Sequence, residues 1–185
     1  KNTFSYELAA KEAALALFKS RTVVYPTDTL YALGANALDL NAVRRIFAVK
    51  KRPDKKPLPV MVSSIDMAKE MAFVDDHHEK ILESFWPGPY TFILKKKSYV
   101  SYLLTAGHNT IALRLPDHPF CQKFMADFER PIILSKGSVS SLGPEVLNMQ
   151  VVNLTPPMIV LISAFIILNH TLHYLLFKSY SFAPT

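Results

Sequence analysis

The sequence predicts an α/β domain with a mixed sheet, and three observations carry that prediction. Apolar stretches short enough for strands alternate with amphipathic helical stretches through the first 135 residues, and the connections between them are short. The chain has 185 residues and is 50% hydrophobic, which supplies a core for one domain with or without an extension. The third is the uneven spread of charge. Of 36 charged residues (21 basic, 15 acidic), only Lys136, Glu145 and Lys178 follow Ser135. The polar/apolar alternation of a folded domain therefore belongs to the first 135 residues. The remaining 50 form a second compositional regime.

Taken in order, residues 5–19 read as a helix, with Leu8, Ala9, Leu15 and Phe18 near one face and Ser5 as cap. Thr22, Val23, Val24 and Tyr25 are β-branched or aromatic and read as a strand that Pro26 stops. Thr27, Asp28 and Thr29 follow at the strand end, and then Leu30, Tyr31, Ala32 and Leu33, with Gly34 as a turn residue. Residues 41–49 read as a helix capped by Asn41, residues 58–62 as a strand, and residues 63–72 and 77–85 as helices. The run "WPGP" stops the last of these. "YTFILKK", "TIALRL" (110–115) and "PIILS" read as strands, with a helix over "HPFCQKFMADF".

Composition narrows the function classes. The net charge of +6 favours an anionic partner such as a nucleotide, RNA or a membrane surface, against the alternative of a domain with a few extra lysines. One cysteine, Cys121, excludes an intrachain disulfide and suits a reducing compartment; it sits in an apolar run and reads as core. Glu7, Lys11 and Glu12 interrupt what would be the apolar region of a signal peptide, so a cytoplasmic location is expected. Residues 158–177 have the length of a membrane span, but the continuous apolar part, 158–168, is only 11 residues. A membrane role is therefore not expected, and residues 158–185 read as an apolar C-terminal extension to a domain over residues 1–157.

Three stretches carry chemistry. Residues 22–37 deliver hydroxyls and a carboxylate to a strand end, which builds either a site or a turn. "VKKRPDKKP" (49–57) sets Lys50, Lys51, Arg52, Lys55 and Lys56 against Asp54 between two prolines. That composition gives a stiffened basic loop suited to phosphates, or a solvated lysine loop. Arg114 lies between apolar neighbours on the strand face shared with Thr110 and Ala112. There it must reach solvent, a ligand, or a carboxylate such as Asp117 or Asp28. His77, His78, Asp117 and His118 lack ligand spacing, so no metal site is expected. No glycine-rich phosphate loop and no nucleophile motif occurs.

"YPTDTLYALGANA", "KKRPDKKPL", "FWPGPYTFIL" and "TIALRLPDHP", in this order and spacing, resemble the YrdC-like family of threonylcarbamoyl-AMP synthases over residues 5–135; "VVNLT" (151–155) is a weaker echo. The resemblance implies a single α/β domain, a twisted mixed β-sheet with flanking helices around a basic concave cavity. It implies synthesis of threonylcarbamoyl-AMP and pyrophosphate from L-threonine, bicarbonate and ATP, with Mg²⁺ accompanying ATP and no tightly bound cofactor. The product would serve threonylcarbamoyladenosine modification of tRNA through a tRNA threonylcarbamoyltransferase partner. By resemblance, Thr29 binds L-threonine, Arg114 binds the threonine carboxylate or the phosphates, Lys50 and Arg52 hold the ATP phosphates and act in catalysis, and Thr110, Ser138 and Ser140 contact the nucleotide. The chain departs from the family after Ser135. Where members carry an S-x-N motif, this sequence has Lys136 for the serine and Ser138 for the asparagine, with Ser140 retained. The competing expectation is a non-catalytic RNA-binding or scaffold module of the same fold.

Overall fold

The structure is a computed structural model that describes residues 3–50, 56–136 and 150–151. All of these lie within one compact unit, Lys1–Val152. The apolar extension over residues 158–185, including the candidate span, lies outside the described residues.

Helix α1 (Thr3–Phe18) packs on helix α5 (Pro119–Phe128) through Ala9, Ala10, Ala13, Ala14, Ala16 and Leu17. Leu8 and Leu15 are each 59% exposed and Phe18 is 50% exposed, so the expected apolar face is not the buried one. The physical reason is the closeness of the partner helix: small side chains let two helix backbones approach, and larger ones are pushed to the rim. At that rim the Phe18 ring meets Phe128 with centroids 4.9 Å apart. Ser5 lies inside the helix and is not its cap.

β1 (Val23–Pro26) and β2 (Tyr31–Gly34) form an antiparallel hairpin in register from Val23↔Gly34 to Pro26↔Tyr31. Gly34 is a strand residue rather than a turn residue. A Cβ there would come within 2.5 Å of the Tyr25 ring across the hairpin and 3.1 Å of Ile132, so close packing, not backbone freedom, requires glycine. β7 (Ser135–Lys136) pairs antiparallel with β2, and β8 (Gln150–Val151) pairs parallel with β1.

A second four-stranded ladder has the order β4 (Thr91–Lys95), β5 (Thr110–Arg114), β3 (Val60–Met61), β6 (Ile132–Ile133) and is likewise mixed. The strand expected over residues 131–135 is split at Leu134, where the chain crosses from one ladder to the other. The Leu134 N–H donates to Pro59 O and the Ile133 N–H to Ala35 O, both at 2.8 Å, so the crossing loses no backbone bond.

Helices α2 (Leu40–Lys50), α3 (Ile65–Met71) and α4 (Asp76–Phe85) cover one face of the second ladder. Val43, Ile46 and Phe47 of α2 join Met71, Leu82, Val60, Leu94, Ile111, Leu113 and Ile133 in the core. Each large side chain buried there is worth roughly 1.5–3 kcal/mol. The α2 cap is Asp39, not Asn41: its Oδ1 accepts from Asn41 N at 2.8 Å and Ala42 N at 3.4 Å. Ser64, Asp75 and His118 cap α3, α4 and α5. Because Ile111 and Leu113 enter the core, Thr110, Ala112 and Arg114 take the opposite face of β5, as the alternation predicts. Thr91, Ile93 and Lys95 stand beside them on β4, opposite Arg114, Ala112 and Thr110.

Candidate functional site

The end of β1 meets the end of β5 around one buried arginine. Arg114 is 8% exposed, and all three of its side-chain nitrogens donate. Nη2 reaches Asp28 Oδ1 at 2.6 Å, Nη1 reaches Thr29 Oγ1 at 3.1 Å, and Nε reaches Gly88 O at 3.2 Å. Of the two carboxylates the sequence offers Arg114, the structure selects Asp28. The guanidinium thus joins the "PTDT" turn to the "WPGP" turn. Five N–H groups are available on an arginine, so two remain beyond these three bonds.

The turn that carries Thr29 is itself organised by a hydroxyl. Thr27 Oγ1 donates to Leu30 O at 2.6 Å and accepts from Leu30 N at 3.1 Å, while Thr27 N donates to Leu30 O at 3.0 Å. This closes the turn after Pro26 and leaves Thr29 exposed at its tip, with its hydroxyl on Arg114. Behind the turn, Cys121 Sγ donates to Pro26 O at 3.2 Å and Tyr25 Oη to Ile133 O at 3.2 Å. Burial pushes the Cys121 thiol up to about 12, with the Asp28 charge adding to the rise. Burial also holds the Tyr25 phenol well above its usual range. Both groups stay neutral, so neither is a nucleophile.

A second junction lies at the end of α2. Lys50 Nζ donates to Ser135 Oγ at 3.0 Å, joining α2 to β7 across 85 residues of sequence. Thr110 is exposed at the start of β5, roughly 13 Å along the strand from Arg114, and pairs with Lys95. The structure therefore brings Thr29 and Arg114 into contact and sets Thr110 on their sheet face. Arg52, Ser138, Ser140 and the Lys136 side chain lie outside the described residues. Asp28 carries this geometry as one of the two partners expected for Arg114, whereas Thr27 and Ser135 carry much of it without having been assigned a contact. Their signal was position: small polar residues at predicted strand ends, the property that marked Thr29.

Among the described residues no group of three or more His, Cys, Asp or Glu side chains could hold a metal ion. His78 Nδ1 instead meets Asp75 Oδ1 at 2.8 Å within the first turn of α4. A separate depression of about 440 Å³, lined by Met61, Met67, Leu115, Cys121 and Met125, contains none of the candidate residues. It is the back of the β5–α5 junction rather than the site.

Among the described residues of this α/β domain, cations and hydroxyls gather at strand and helix ends, and the buried Cys121 and Tyr25 stay neutral. The particular family follows from comparison. The Sua5/YciO/YrdC family model, described as "Telomere recombination", matches residues 16–155, and the chain belongs to that family. It is 39% identical over 129 residues to the threonylcarbamoyl-AMP synthase of Pyrococcus abyssi (strain GE5 / Orsay), covering 69% of this chain and 38% of that protein. It is 35% identical over 131 residues to the threonylcarbamoyl-AMP synthase of Bacillus subtilis (strain 168), covering 70% and 38%. The crystal structure of P. abyssi Sua5 complexed with L-threonine superposes with a TM-score of 0.67 at 39% identity, over 69% of this chain and 38% of that one. The chain thus spans 38% of the length of both these relatives. Among the described residues no helix is long and apolar enough to cross a membrane.

Proposed function

We propose that this chain carries the synthase domain of a threonylcarbamoyl-AMP synthase, making threonylcarbamoyl-AMP and pyrophosphate from L-threonine, bicarbonate and ATP. The observation that carries the reading is the Arg114–Asp28–Thr29 junction, in a chain similar to a protein whose structure holds L-threonine. Thr29 offers its hydroxyl to the threonine substrate. Arg114 fixes that hydroxyl, and its two further N–H groups suit the threonine carboxylate. Lys50 and Arg52 hold the ATP phosphates of the basic cavity, and Thr110, Ser138 and Ser140 contact the nucleotide.

The chemistry fits such residues. The threonine amine adds to bicarbonate and loses water, giving a carbamate. A carbamate oxygen then attacks the α-phosphorus of ATP, and pyrophosphate leaves with the electron pair of the broken P–O bond. Two anions must be brought together, so the protein's task is placement and charge neutralisation rather than supply of a nucleophile. Mg²⁺ belongs to the substrate, held by phosphate oxygens and water. The product is unstable to water and is consumed by transfer to tRNA, which implies a tRNA threonylcarbamoyltransferase partner and a cytosolic location. The synthase names of the relatives favour this reading over a non-catalytic RNA-binding scaffold.

The test is incubation of the full chain with ATP, L-threonine and ¹³C-bicarbonate, followed by mass spectrometry. Labelled threonylcarbamoyl-AMP that requires all three substrates is expected. Its yield should be low and should rise in the double variant Lys136→Ser, Ser138→Asn, which restores the family motif. Absence of labelled product from both chains, with ATP bound, would overturn the proposal.

A further inference from the structure

Two threonine hydroxyls stand in the "PTDT" turn, and counting their partners assigns their protons. A hydroxyl has one proton and two lone pairs. The half-buried Thr27 commits all three to the backbone. Leu30 O, which can only accept, lies 2.6 Å from Thr27 Oγ1 and takes its proton. Leu30 N at 3.1 Å and Thr29 N at 3.3 Å, which can only donate, occupy both lone pairs. Thr29 Oγ1 also lies 3.3 Å from Thr27 Oγ1, but nothing on the Thr27 hydroxyl is left for it. Arg114 Nη1, 3.1 Å away, meets Thr29 Oγ1 as a donor, because a guanidinium has no acceptor. The Thr29 hydroxyl therefore keeps its proton and one lone pair at an exposed turn tip.

We infer that Thr27 is a positioning residue for Thr29, which by committing its own hydroxyl to the backbone leaves the Thr29 proton to donate to an oxygen of the amino-acid substrate. The inference rests on the reading of Thr29 as a contact for L-threonine. With the Thr27 lone pairs open, the Thr29 proton would turn back into the protein, and the tip would offer a ligand only an acceptor. The bond from Arg114 works in the same direction. A hydroxyl that accepts a hydrogen bond from a cation is polarised, and its O–H becomes a stronger donor. Thr27 also fixes where that donor stands. Its Oγ1 holds the Thr29 N–H, and its own N–H closes the turn on Leu30 O at 3.0 Å. Just before it, Pro26 O is held to α5 by Cys121 Sγ at 3.2 Å. A donor fixed in advance has less freedom to lose when the substrate arrives, so binding strengthens.

The test uses the full chain and follows L-threonine and ATP separately by calorimetric titration, with thermal melts alongside. Thr27→Val, of the same shape without the hydroxyl, should weaken L-threonine about tenfold and leave ATP within about twofold of the unmodified chain. Thr27→Ser, which keeps the hydroxyl, should restore L-threonine binding. The sharper comparison is with Thr29→Ala. If Thr27 acts through the Thr29 hydroxyl, adding Thr27→Val to Thr29→Ala should weaken L-threonine less than about twofold further, while any fall in melting temperature is the same in both backgrounds. Thr27→Cys, a weaker donor and acceptor, takes the place of the valine variant in the same cycle if that variant fails to fold. L-Threonine binding unchanged in Thr27→Val would overturn the inference. So would the full tenfold loss in the Thr29→Ala background, which would make Thr27 a turn residue only. If the unmodified chain binds no L-threonine, with or without ATP, the reading of this junction as a threonine site fails, and the positioning role falls with it.

Discussion

Arg114 and Lys50 both bring a cation to the end of a secondary-structure element, and they are held in opposite ways. Arg114 is sunk between two turns, bonded to a carboxylate at 2.6 Å, a hydroxyl and a carbonyl, with 9% of its side chain exposed. Lys50 is half-buried and meets the neutral Ser135 hydroxyl. The difference teaches what each charge is for. A carboxylate at contact distance offsets much of a cation's field, and the bonds of Arg114 lock the "PTDT" turn with Thr29 at its tip. A hydroxyl bonded to a cation brings no charge of its own, so the Ser135 contact takes nothing from the Lys50 charge.

The largest effect should come from breaking the Arg114–Asp28 pair. Arg114→Ala leaves the Asp28 carboxylate shielded and uncompensated and removes donors from Thr29 and Gly88. It should cost about 3–5 kcal/mol of stability, seen as a melting-temperature drop on the order of 10 °C. A loss under about 1 kcal/mol, the range of an exposed ion pair, would show the junction to be a surface contact.

Arg52→Ala should act on the other side of the comparison. We expect ATP binding to weaken by about 2–3 kcal/mol in a calorimetric titration, with the melting temperature unchanged. Unaltered nucleotide affinity would remove Arg52 from the phosphate site. Thr29→Ala should be narrower still, raising the threonine concentration needed for product formation while leaving ATP affinity as it was. Equal losses for the two substrates would make Thr29 a turn residue only.

Much of this arrangement was legible in the sequence, and the exceptions share a cause. The strand ending at Pro26 and the face shared by Thr110, Ala112 and Arg114 follow from local pattern, because the core takes Ile111 and Leu113. The alanine face of α1 did not follow, since only contact with α5 makes small residues preferable to Leu8 and Leu15. Gly34 was misread because its constraint, the Tyr25 ring, is across the hairpin. Asp28 could not be chosen over Asp117, nor Ser135 linked to Lys50, because those contacts span 86 and 85 residues. Spacing along the chain reports periodicity within an element, whereas partners between elements are set by packing.

The smallest predicted effect concerns His118, which caps α5 by accepting from Phe120 N at Nδ1, 3.1 Å away. Burial lowers its proton affinity against the opposing pull of Asp28 and Asp117. With the folded value below the unfolded one, the unfolded chain takes up the proton first. Stability should therefore be full above about pH 6.5 and decline as pH falls from there through the lower folded value. His118→Asn, which keeps a capping acceptor, should flatten that part of a pH series of thermal melts. A slope that persists in the variant would place the titrating group elsewhere.

The contrast between the two cations is tested most directly by measuring ATP affinity and thermal unfolding together in Lys50→Ala and Arg114→Ala. Lys50→Ala should lose ATP binding while its stability falls less than that of Arg114→Ala, which should melt far lower. A Lys50→Ala chain that binds ATP as tightly as the unmodified protein, or an Arg114→Ala chain that melts with it, would contradict the account.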